Sequence, residues 1–282
     1  MQKTWFITGA SSGFGRQMTE LLLERGDRVA ATVRKPDAVR DLAAKHGDRL
    51  WVGILDVADV KAVHAVVGKA FQELGRIDVV VSNAGYVVSG AAEELTDAQI
   101  ERQIDTNLIG STQVARAAIP HLRKQGGGRI IQISSSVGQS AFPTTGVYAA
   151  TKWGIEGFFE GTIPEIAAFG IEVTLVEPGA SRTNFAMALD AAEPTATYEN
   201  TGAGEFRRAV AAGGLAFWPG DPRKIAVAIV ASADQSPAPK RLTLGSDSYA
   251  MIHQALTERL AALEAQKELA HSTDVTGESA AA

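Results

Sequence analysis

Short hydrophobic runs alternate with longer amphipathic stretches along most of this 282-residue chain. The short runs are rich in Val, Ile and Leu and lack a regular polar alternation, which is typical of strands buried on both faces of a sheet. They predict seven strands: Trp5–Thr8, Arg28–Val33, Leu50–Leu55, Val79–Ser82, Arg129–Ile133, Glu172–Val176 and Arg241–Leu244. Helices are predicted between them, at Gly15–Arg25, Asp59–Leu74, Asp97–Gln125, Tyr148–Ala168 and Pro222–Ala231. The repeated strand–helix order indicates an α/β fold with a doubly wound parallel sheet of about seven strands and helices on both faces.

We expect a single domain over residues 1–270, because α/β folds often reach about 250 residues as one unit. Asp247–Ala270 is predicted as a terminal helix, and residues 271–282 as a polar tail. The least regular segment is Ala186–Pro219. Long irregular segments inside a compact domain are usually functional or mobile. We therefore predict that residues 186–219 form a substrate lid, with a fixed helical excursion as the alternative.

Two sets of hydrophobic residues support these predictions. One stripe gives the terminal helix an apolar side: Ile252, Leu256, Leu260 and Leu263. The other set would give the lid an apolar surface: Phe185, Phe206, Leu215, Phe217 and Trp218. A lid of this composition favours an apolar substrate.

Composition and charge exclude several classes of protein. The chain has 27 Lys and Arg against 32 Asp and Glu, a net charge of −5, which does not favour binding to nucleic acid. It contains no cysteine, so it has no disulfide framework, thiolate metal site or cysteine nucleophile. The five histidines form no close pair, and no metal site is expected. No stretch approaches the ~20 apolar residues of a membrane span, so we expect a cytoplasmic protein without a membrane partner.

A glycine-rich loop joins the first predicted strand to the first helix. The sequence from Thr8 to Gly15 reads TGASSGFG, with the spacing Gly-x3-Gly-x-Gly. Glycines let the backbone turn tightly and approach a ligand closely. The helix N-terminus offers unpaired N–H groups that suit a pyrophosphate. The loop predicts a dinucleotide site, with a ligand-free turn as the alternative.

The end of the second strand indicates which dinucleotide would bind. An acidic residue at such a position favours NAD, whereas an arginine accommodates the 2′-phosphate of NADP. Residues 32–35 read Thr-Val-Arg-Lys and contain no acid. Arg34 is therefore a candidate phosphate ligand, with Ser12 and Lys35 as possible helpers, and NADP(H) is the expected cofactor. The alternative is a solvated pair of surface cations.

Tyr148 and Lys152 lie four residues apart at the start of a predicted helix, so they share one face. A neighbouring ammonium stabilises a phenolate, so we expect Lys152 to lower the pKa of Tyr148 and to make it a usable proton donor and acceptor. Three serines, residues 134–136, follow the fifth predicted strand. Ligands bind beyond the carboxyl ends of such strands, and any of the three hydroxyls could contact a substrate oxygen.

These motifs together resemble the short-chain dehydrogenase/reductase family over roughly residues 4–185. They occur in the family's order: the loop of residues 8–15, Leu55-Asp56-Val57, Asn83-Ala84-Gly85, Asn107, Ser135, Tyr148-x3-Lys152 and Pro178-Gly179-x3-Thr183. The resemblance implies a Rossmann-type fold. It also selects Ser135 among the three serines, because the family's serine usually lies 13 residues before its tyrosine.

The resemblance implies a role for each matching residue. Tyr148 would transfer the proton, and Lys152 would lower its pKa and bind the nicotinamide ribose. Ser135 would position the substrate oxygen, and Asn107 would hold a water in a proton relay. The residues implied to bind the cofactor are Gly9, Ser11, Ser12, Gly13, Phe14, Gly15, Arg34, Asp56, Val57, Asn83, Ala84, Gly85, Tyr148, Lys152, Pro178, Gly179 and Thr183.

The leading hypothesis is an NADP(H)-dependent oxidoreductase that interconverts a secondary alcohol and a ketone, or a primary alcohol and an aldehyde. Residues 32–36 resemble the 17β-hydroxysteroid-dehydrogenase-like and retinol-dehydrogenase-like branch of the family. The alternatives are a catalytically silent dinucleotide-sensing protein and an epimerase or dehydratase on the same fold. The family also implies a homodimer or homotetramer that pairs the helices at 97–125 and 148–168.

Overall fold

Seven parallel strands form the central sheet of the protein. The computed structural model describes residues 2–183 and 189–275, apart from the side chains of residues 215 and 216. Its strands are β1 (Thr4–Thr8), β2 (Arg28–Val33), β3 (Leu50–Ile54), β4 (Val79–Ser82), β5 (Val88–Ser89), β6 (Gly128–Ile133), β7 (Ile171–Pro178), β8 (Asp190–Ala191) and β9 (Arg241–Leu244). The sheet has the order β3-β2-β1-β4-β6-β7-β9, while β5 and β8 pair separately. The Rossmann-type doubly wound sheet predicted from the sequence is confirmed, and each of the seven predicted strands is present.

Helices connect the strands and cover both faces of the sheet. They are α1 (Gly13–Arg25), α2 (Arg40–His46), α3 (Val60–Leu74), α4 (Asp97–Ile104), α5 (Ser111–Lys124), α6 (Gly146–Ile166), α7 (Gly202–Gly213), α8 (Pro222–Ser232), α9 (Ser246–Glu264) and α10 (Lys267–Ser272). The single helix predicted over 97–125 is wrong in one respect, since a π-helical turn at Asp105–Gly110 separates α4 from α5. A π turn inserts an extra residue into the helical repeat and often marks a functional site.

Successive side chains of β1 supply the two halves of the core, because neighbours on a strand point to opposite faces. Trp5 and Ile7 are fully buried against the face that α1 and α8 cover. Phe6 is fully buried on the other face, among apolar residues of α3, α5 and α6. Because both faces are covered, the strands contain continuous runs of Val, Ile and Leu.

The carboxyl ends of the strands meet at one edge of the sheet. β1 lies at the centre, with β2 and β3 on one side and β4, β6, β7 and β9 on the other. The strand order therefore reverses beside β1, and ligands of open α/β sheets bind at such a switch point. The glycine-rich loop, Asn83, the three serines and Pro178 all follow strands at this edge.

The segment predicted as a lid is partly helical. Residues 186–188 and Phe185 lie outside the described residues, as does the side chain of Leu215. The remainder contains β8, a short 3-10 turn at Ala196–Tyr198, α7 and a second 3-10 turn at Gly214–Phe217. Helical structure in this segment was offered from the sequence only as the alternative to a lid.

The terminal helix predicted over Asp247–Ala270 is divided into α9, which ends at Glu264, and α10, which begins at Lys267, and its apolar stripe is only partly covered. Ile252 is buried, whereas Leu256, Leu260 and Leu263 are about half exposed or more. Within the described ranges, no helix is long and apolar enough to cross a bilayer. The same residues contain no group of three or more His, Asp or Glu side chains arranged to hold a metal ion.

Candidate active site

The glycine-rich loop leads into α1 with its helical N–H groups available. Ser12 is the N-cap residue of α1, and its side chain makes no capping hydrogen bond. Gly13 has a φ of +54°, and the nearest atom to an added Cβ would be 3.8 Å away on Thr183. The first turn of α1 contains no acidic residue. An anion could therefore approach this backbone closely, as a cofactor pyrophosphate requires.

The other two glycines of the loop are required by close packing. A Cβ on Gly15 would lie 2.4 Å from the carbonyl oxygen of Gly9. Gly9 has a φ of +68°, and its added Cβ would lie 2.9 Å from the Cα of Ala84. The loop is thus pressed against the segment that follows β4.

Thr8 and Asn83 join the glycine-rich loop to the end of β4. The Thr8 hydroxyl accepts hydrogen bonds from the backbone N–H groups of Asn83 (2.9 Å) and Ala84 (3.0 Å). The Asn83 amide nitrogen donates to the carbonyl oxygen of Thr8 at 2.8 Å. Asn83 therefore has a positioning function that is independent of any ligand.

Arg34 is exposed at the end of β2, and no hydrogen bond or ion pair engages it within the described residues. Its strand is tied to the glycine-rich loop, because the Ala10 N–H donates to the Thr32 carbonyl at 3.1 Å. By contrast, Arg16 forms ion pairs with Glu20 and Asp41 and is already engaged. Among the described residues, Arg34 and the exposed Lys35 are thus available cations beside the loop.

Asp56 and Val57 follow β3 at the same edge. The Asp56 carboxylate accepts the Ala58 N–H at 3.1 Å, and the residue is exposed. Val57 is buried. A Cβ on Gly110, at the end of the π turn, would lie 2.8 Å from the Val57 carbonyl oxygen. Packing therefore fixes the position of Val57 against the π turn.

Ser135 is the serine that contacts Tyr148. Its hydroxyl is hydrogen-bonded to the phenol, and it also accepts the Val137 N–H at 3.3 Å. The Ser134 hydroxyl instead donates to the buried Glu156 carboxylate at 2.6 Å. The structure therefore brings Ser135 and Tyr148 together, and it directs Ser134 elsewhere.

Lys152 is buried beside Tyr148. Its ammonium donates to the Ile133 carbonyl oxygen at 2.9 Å and lies 5.7 Å from the centre of the tyrosine ring. Burial lowers the pKa of Lys152 to about 8. Burial also raises the pKa of Tyr148 to about 12, and the hydrogen bond from Ser135 offsets this only in part. The pKa of Tyr148 in the free protein is therefore raised and not lowered as expected, because desolvation outweighs any stabilisation of the phenolate by its neighbours.

Asn107 lies in the π turn and holds the backbone that follows Gly85. Its side-chain oxygen accepts the Tyr86 N–H at 3.1 Å, and its amide nitrogen donates to the Tyr86 carbonyl at 2.9 Å. Gly85 leaves room for this contact, since an added Cβ would lie 3.2 Å from the Asn107 oxygen. Both ends of the Asn107 amide are occupied, so its side-chain orientation is fixed.

Gln103, one turn before Asn107, was not identified from the sequence. It is fully buried, and its amide bonds the Val88 N–H and the Tyr86 carbonyl, the latter at 2.8 Å. Glutamine is usually exposed, so the sequence carries no signal for this contact beyond the spacing of four residues from Asn107.

The loop after β7 is held by the start of α9. The Asp247 carboxylate accepts the Ala180 N–H at 2.7 Å, and a Cβ on Gly179 would lie 2.2 Å from that carboxylate. Ser248 donates to the Glu177 carbonyl at 2.8 Å. Pro178, Gly179 and Thr183 thus lie at the predicted edge, but Asp247 and Ser248 were missed because they come from a distant part of the chain.

An apolar wall extends from Tyr148 to α7. Tyr148 packs in a small cluster with Val137, Ala149, Val87 and Phe142. Phe142 contacts Phe206 of α7, with ring centres 4.9 Å apart. Beyond Phe206 the wall continues to two more aromatic side chains, Phe217 and Trp218.

Comparison with known proteins identifies the family. Residues 3–194 match the family model for the short chain dehydrogenases. The chain belongs to the short chain dehydrogenase family.

Individual proteins of this family support the assignment. The chain is similar to oxidoreductase BOA17 of Botryotinia fuckeliana, with 41% identity over 187 residues, which cover 66% of this chain and 68% of BOA17. It is also similar to the crystal structure of a short-chain dehydrogenase from Streptomyces avermitilis, with 36% identity and a TM-score of 0.88, over 98% of this chain and all of the other. A structure titled ElxO with NADP bound has 25% identity and a TM-score of 0.74, over 89% of this chain and all of ElxO. The protein is thus an oxidoreductase of the short chain dehydrogenase family.

The geometry around Tyr148 predicts which serine matters for turnover in this dehydrogenase. Ser135→Ala should lower kcat by about 10- to 100-fold, because the transition state loses a hydrogen bond of about 1.5–3 kcal/mol. Ser134→Ala and Ser136→Ala should cost less, since Ser134 faces Glu156 and Ser136 has no described contact with Tyr148. Steady-state rates of the three alanine variants decide the order, and a larger loss in Ser134→Ala would contradict it.

Proposed function

We propose that this protein is an NADP(H)-dependent oxidoreductase that interconverts a secondary alcohol and a ketone, or a primary alcohol and an aldehyde. The observation that carries the proposal is the buried group at the sheet edge: Tyr148 hydrogen-bonded to Ser135, with the Lys152 ammonium beside the phenol ring. A phenol with these neighbours can exchange a proton with a carbonyl or alcohol oxygen. The glycine-rich loop supports the cofactor, since its open backbone and unpaired helix N–H groups fit a pyrophosphate.

The proposed mechanism assigns the proton and the substrate oxygen to this chain. Ser135 donates a hydrogen bond to the carbonyl oxygen, and Tyr148 transfers its proton to that oxygen. NADPH bound beside the glycine-rich loop would supply the hydride for the carbonyl carbon. The positive charge of Lys152 stabilises the Tyr148 phenolate left behind. A proton from solvent, relayed past Asn107, then restores the phenol, and alcohol oxidation follows the same steps in reverse.

The remaining residues of the edge are proposed as cofactor ligands. They lie at or beyond the carboxyl ends of β1, β3, β4 and β7: Gly9, Ser11, Ser12, Gly13, Phe14, Gly15, Asp56, Val57, Asn83, Ala84, Gly85, Pro178, Gly179 and Thr183. The alternative, a catalytically silent dinucleotide-sensing protein, has no need for a buried lysine beside a buried tyrosine. Because burial of Lys152 costs free energy, retention of this pair favours an enzyme.

Substitution of Tyr148 tests the mechanism. Tyr148→Phe keeps the ring but removes the proton donor, so turnover with NADPH and a ketone should fall by about 10²–10⁴-fold while cofactor affinity stays within about twofold. Lys152→Met should reduce both turnover and cofactor affinity. Absorbance at the NADPH band and fluorescence titration of the cofactor measure the two quantities. Retention of more than about a tenth of the activity in Tyr148→Phe would show that another group transfers the proton.

NADP(H) is proposed over NAD(H) because Arg34 is exposed and has no described partner, and because no acid occupies residues 32–35. The NADP-bound ElxO structure, with 25% identity to this chain, is consistent with that cofactor. A charge-assisted hydrogen bond to a phosphate contributes about 1.5–3 kcal/mol, which corresponds to about 10- to 100-fold in affinity.

Arg34→Asp should therefore remove or reverse the preference for NADP(H). Dissociation constants for NADPH and NADH, measured by fluorescence, give the ratio in wild type and variant. Arg40→Asp is the matched control, since Arg40 is an exposed cation nearby that pairs with Asp37. It should leave the ratio within about threefold. Equal affinity of the wild type for both cofactors would contradict the proposal.

The substrate is proposed to carry an apolar chain. The aromatic wall from Phe142 to Trp218 begins at the cluster around Tyr148, so a substrate held at the phenol would lie along it. Residues 186–219 are proposed as the lid that covers it. Arg207 of α7 pairs with the fully buried Glu94 carboxylate, which also accepts the Thr195 N–H at 2.8 Å. These contacts anchor the described part of the lid beside the site.

A series of methyl ketones of increasing length tests the apolar wall. Each buried CH₂ contributes up to about 0.8 kcal/mol, so kcat/KM should rise up to about fourfold per carbon. Phe206→Ala should flatten this dependence and leave the rate with the shortest ketone nearly unchanged. Glu205→Ala, an exposed neighbour on α7, is the control. A series that does not depend on length in the wild type would argue against an apolar substrate.

A homodimer or homotetramer built on α5 and α6 is also proposed. Phe169 and Trp153 are exposed in the single chain, and Phe158 is partly exposed beside a groove lined by Ile119 and Arg123. Phe159, next to Phe158 on α6, is fully buried within the chain and gives no support to the interface.

Light scattering should give a multiple of 29.6 kDa for the wild type. Phe158→Glu should shift the mass toward that of one chain, because a carboxylate would be buried in the interface. Leu260→Glu on the exposed side of α9 is the control and should leave the mass unchanged. A wild-type protein that stays at 29.6 kDa at every concentration tested would reject the oligomer.

A further inference from the structure

Glu156 is a buried carboxylate that the proposed mechanism does not use. It lies on α6 one turn beyond Lys152 and is 3% exposed. One oxygen accepts the Ser134 hydroxyl at 2.6 Å, and the other accepts Arg241 of β9 at 3.1 Å. Burial raises the pKa of the Glu156 carboxyl, whereas the hydrogen bonds from Ser134 and Arg241 favour its ionised form. Burial of a charged group costs free energy unless the group is paired. A buried carboxylate without any function is therefore unexpected.

The serine loop is shaped around this carboxylate. A Cβ on Gly138 would lie 2.0 Å from the nearer Glu156 oxygen and 2.6 Å from the Ser134 hydroxyl. The φ of Gly138 lies outside the left-handed region. The glycine is thus required by the space that Glu156 and Ser134 fill, and not by backbone conformation.

The contact of Ser134 with Glu156 lies next to the contact of Ser135 with Tyr148. Ser135 is extended, with φ −170° and ψ 165°. Its hydroxyl bonds Tyr148, and the preceding hydroxyl, that of Ser134, bonds Glu156, which lies two turns further along α6. The bond to Glu156 therefore limits where the adjacent Ser135 can lie.

Glu156 also lies close to the Lys152 charge, because residues four apart on a helix are neighbours. Burial lowers the pKa of Lys152, whereas the negative charge of Glu156 raises it. Among the described residues, the other titratable group that faces Lys152 is Tyr148, on the same helix.

Charged groups from other elements surround Glu156 itself. Glu177 approaches it from β7 and Arg241 from β9. Arg241 also pairs with Glu160, one turn further along α6, and with Glu177. Arg241 would therefore keep two carboxylate partners if Glu156 lost its charge, and a neutral variant at residue 156 should still fold.

We propose that Glu156 is a positioning residue for the reaction: through Ser134 it directs Ser135 toward Tyr148, and its negative charge keeps Lys152 protonated. The importance of these two effects for turnover rests on the proposed function, whereas the effects themselves are properties of the free protein. Glu156 touches neither the substrate oxygen nor the cofactor in this scheme.

The charge is tested by titration of Lys152 in the free protein. Glu156→Gln keeps the shape and an acceptor oxygen but removes the charge. It should lower the pKa of Lys152 by about one unit, measured by NMR on protein labelled with ¹³C at lysine Cε, with Lys152→Arg used to assign the signal. Glu160→Gln is the matched control, because it removes an equal charge one turn further away and does not contact Ser134. Its shift should be less than half as large, and equal shifts in both variants would overturn this part of the proposal.

Ser134→Ala separates the hydrogen bond from the charge. It should lower kcat by about threefold to tenfold, as expected for the loss of one hydrogen bond, with KM for the ketone nearly unchanged. The pKa of Lys152 should stay at its wild-type value in this variant. A wild-type kcat in Ser134→Ala would overturn the positioning of Ser135.

The pH dependence of the rate tests the charge and the hydrogen bond of Glu156 in one experiment. In the wild type, kcat/KM for ketone reduction should fall as the pH rises through about 8, because Lys152 loses its proton there. In Glu156→Gln the fall should begin about one unit lower, and in Ser134→Ala it should not move. If the wild type were inactive and the pKa of Lys152 were still lower in Glu156→Gln, the proposed function would be rejected and the electrostatic effect would stand. An active wild type with an unmoved titration and an unmoved pH profile would reject this inference alone.

Discussion

The structure depends on supplying hydrogen-bond partners to the polar side chains that are buried at the carboxyl edge of the sheet. A buried polar group is costly unless the protein supplies its hydrogen-bond partners. The Thr8 hydroxyl meets this condition by accepting hydrogen bonds from the backbone N–H groups of Asn83 and Ala84, which follow β4. Asn107 meets the same condition through hydrogen bonds to the backbone N–H and carbonyl of Tyr86, and Lys152 meets it by donating to the Ile133 carbonyl. Each partner is backbone, so the loops around the site are held by the same bonds that satisfy its side chains.

Burial also sets the protonation state in which the proposed site rests. It raises the pKa of Tyr148 to about 12 and lowers that of Lys152 to about 8, because it disfavours the phenolate and the ammonium alike. The free protein therefore holds a neutral phenol at neutral pH, which is the form that donates a proton in ketone reduction. Oxidation of an alcohol needs the phenolate, and the positive charge on Lys152 is then the main compensation available to it.

The sequence was sufficient for the parts of the fold that depend on local pattern. The five inner strands are largely buried on both faces, so their continuous runs of Val, Ile and Leu were easy to recognise. The loop of residues 8–15 and the pair Tyr148 and Lys152 were recognisable because their residues are close together in the chain. The narrower assignment to a branch of the family stays a prediction.

The sequence was insufficient where contacts or desolvation decide the outcome. A π turn at Asp105–Gly110 differs from an α-helix by one residue per turn, and the hydrophobic periodicity of 97–125 does not reveal it. The predicted direction of the Tyr148 pKa shift was wrong, because the sequence spacing shows that a lysine is near the phenol but not how deeply the phenol is buried. Gln103 and Glu156 looked like ordinary surface residues, since glutamine and glutamate are rarely buried.

The last third of the chain contributes to the site without contributing to its recognisable motifs. The family match ends at residue 194, yet Arg241 pairs with Glu156 and Asp247 holds the loop after β7. Both residues reach the site because β9 pairs in parallel with the last four residues of β7. Arg241 begins β9 beside Leu175, and α9, which contains Asp247, begins directly after β9. A chain of this family can therefore keep the motifs of its first two thirds and still change the support beneath Ser135 and the loop after β7. Differences in rate and pH dependence among relatives with the same Tyr-x3-Lys motif should then follow from the region around β9 and α9 as well as from the segment that encloses the substrate.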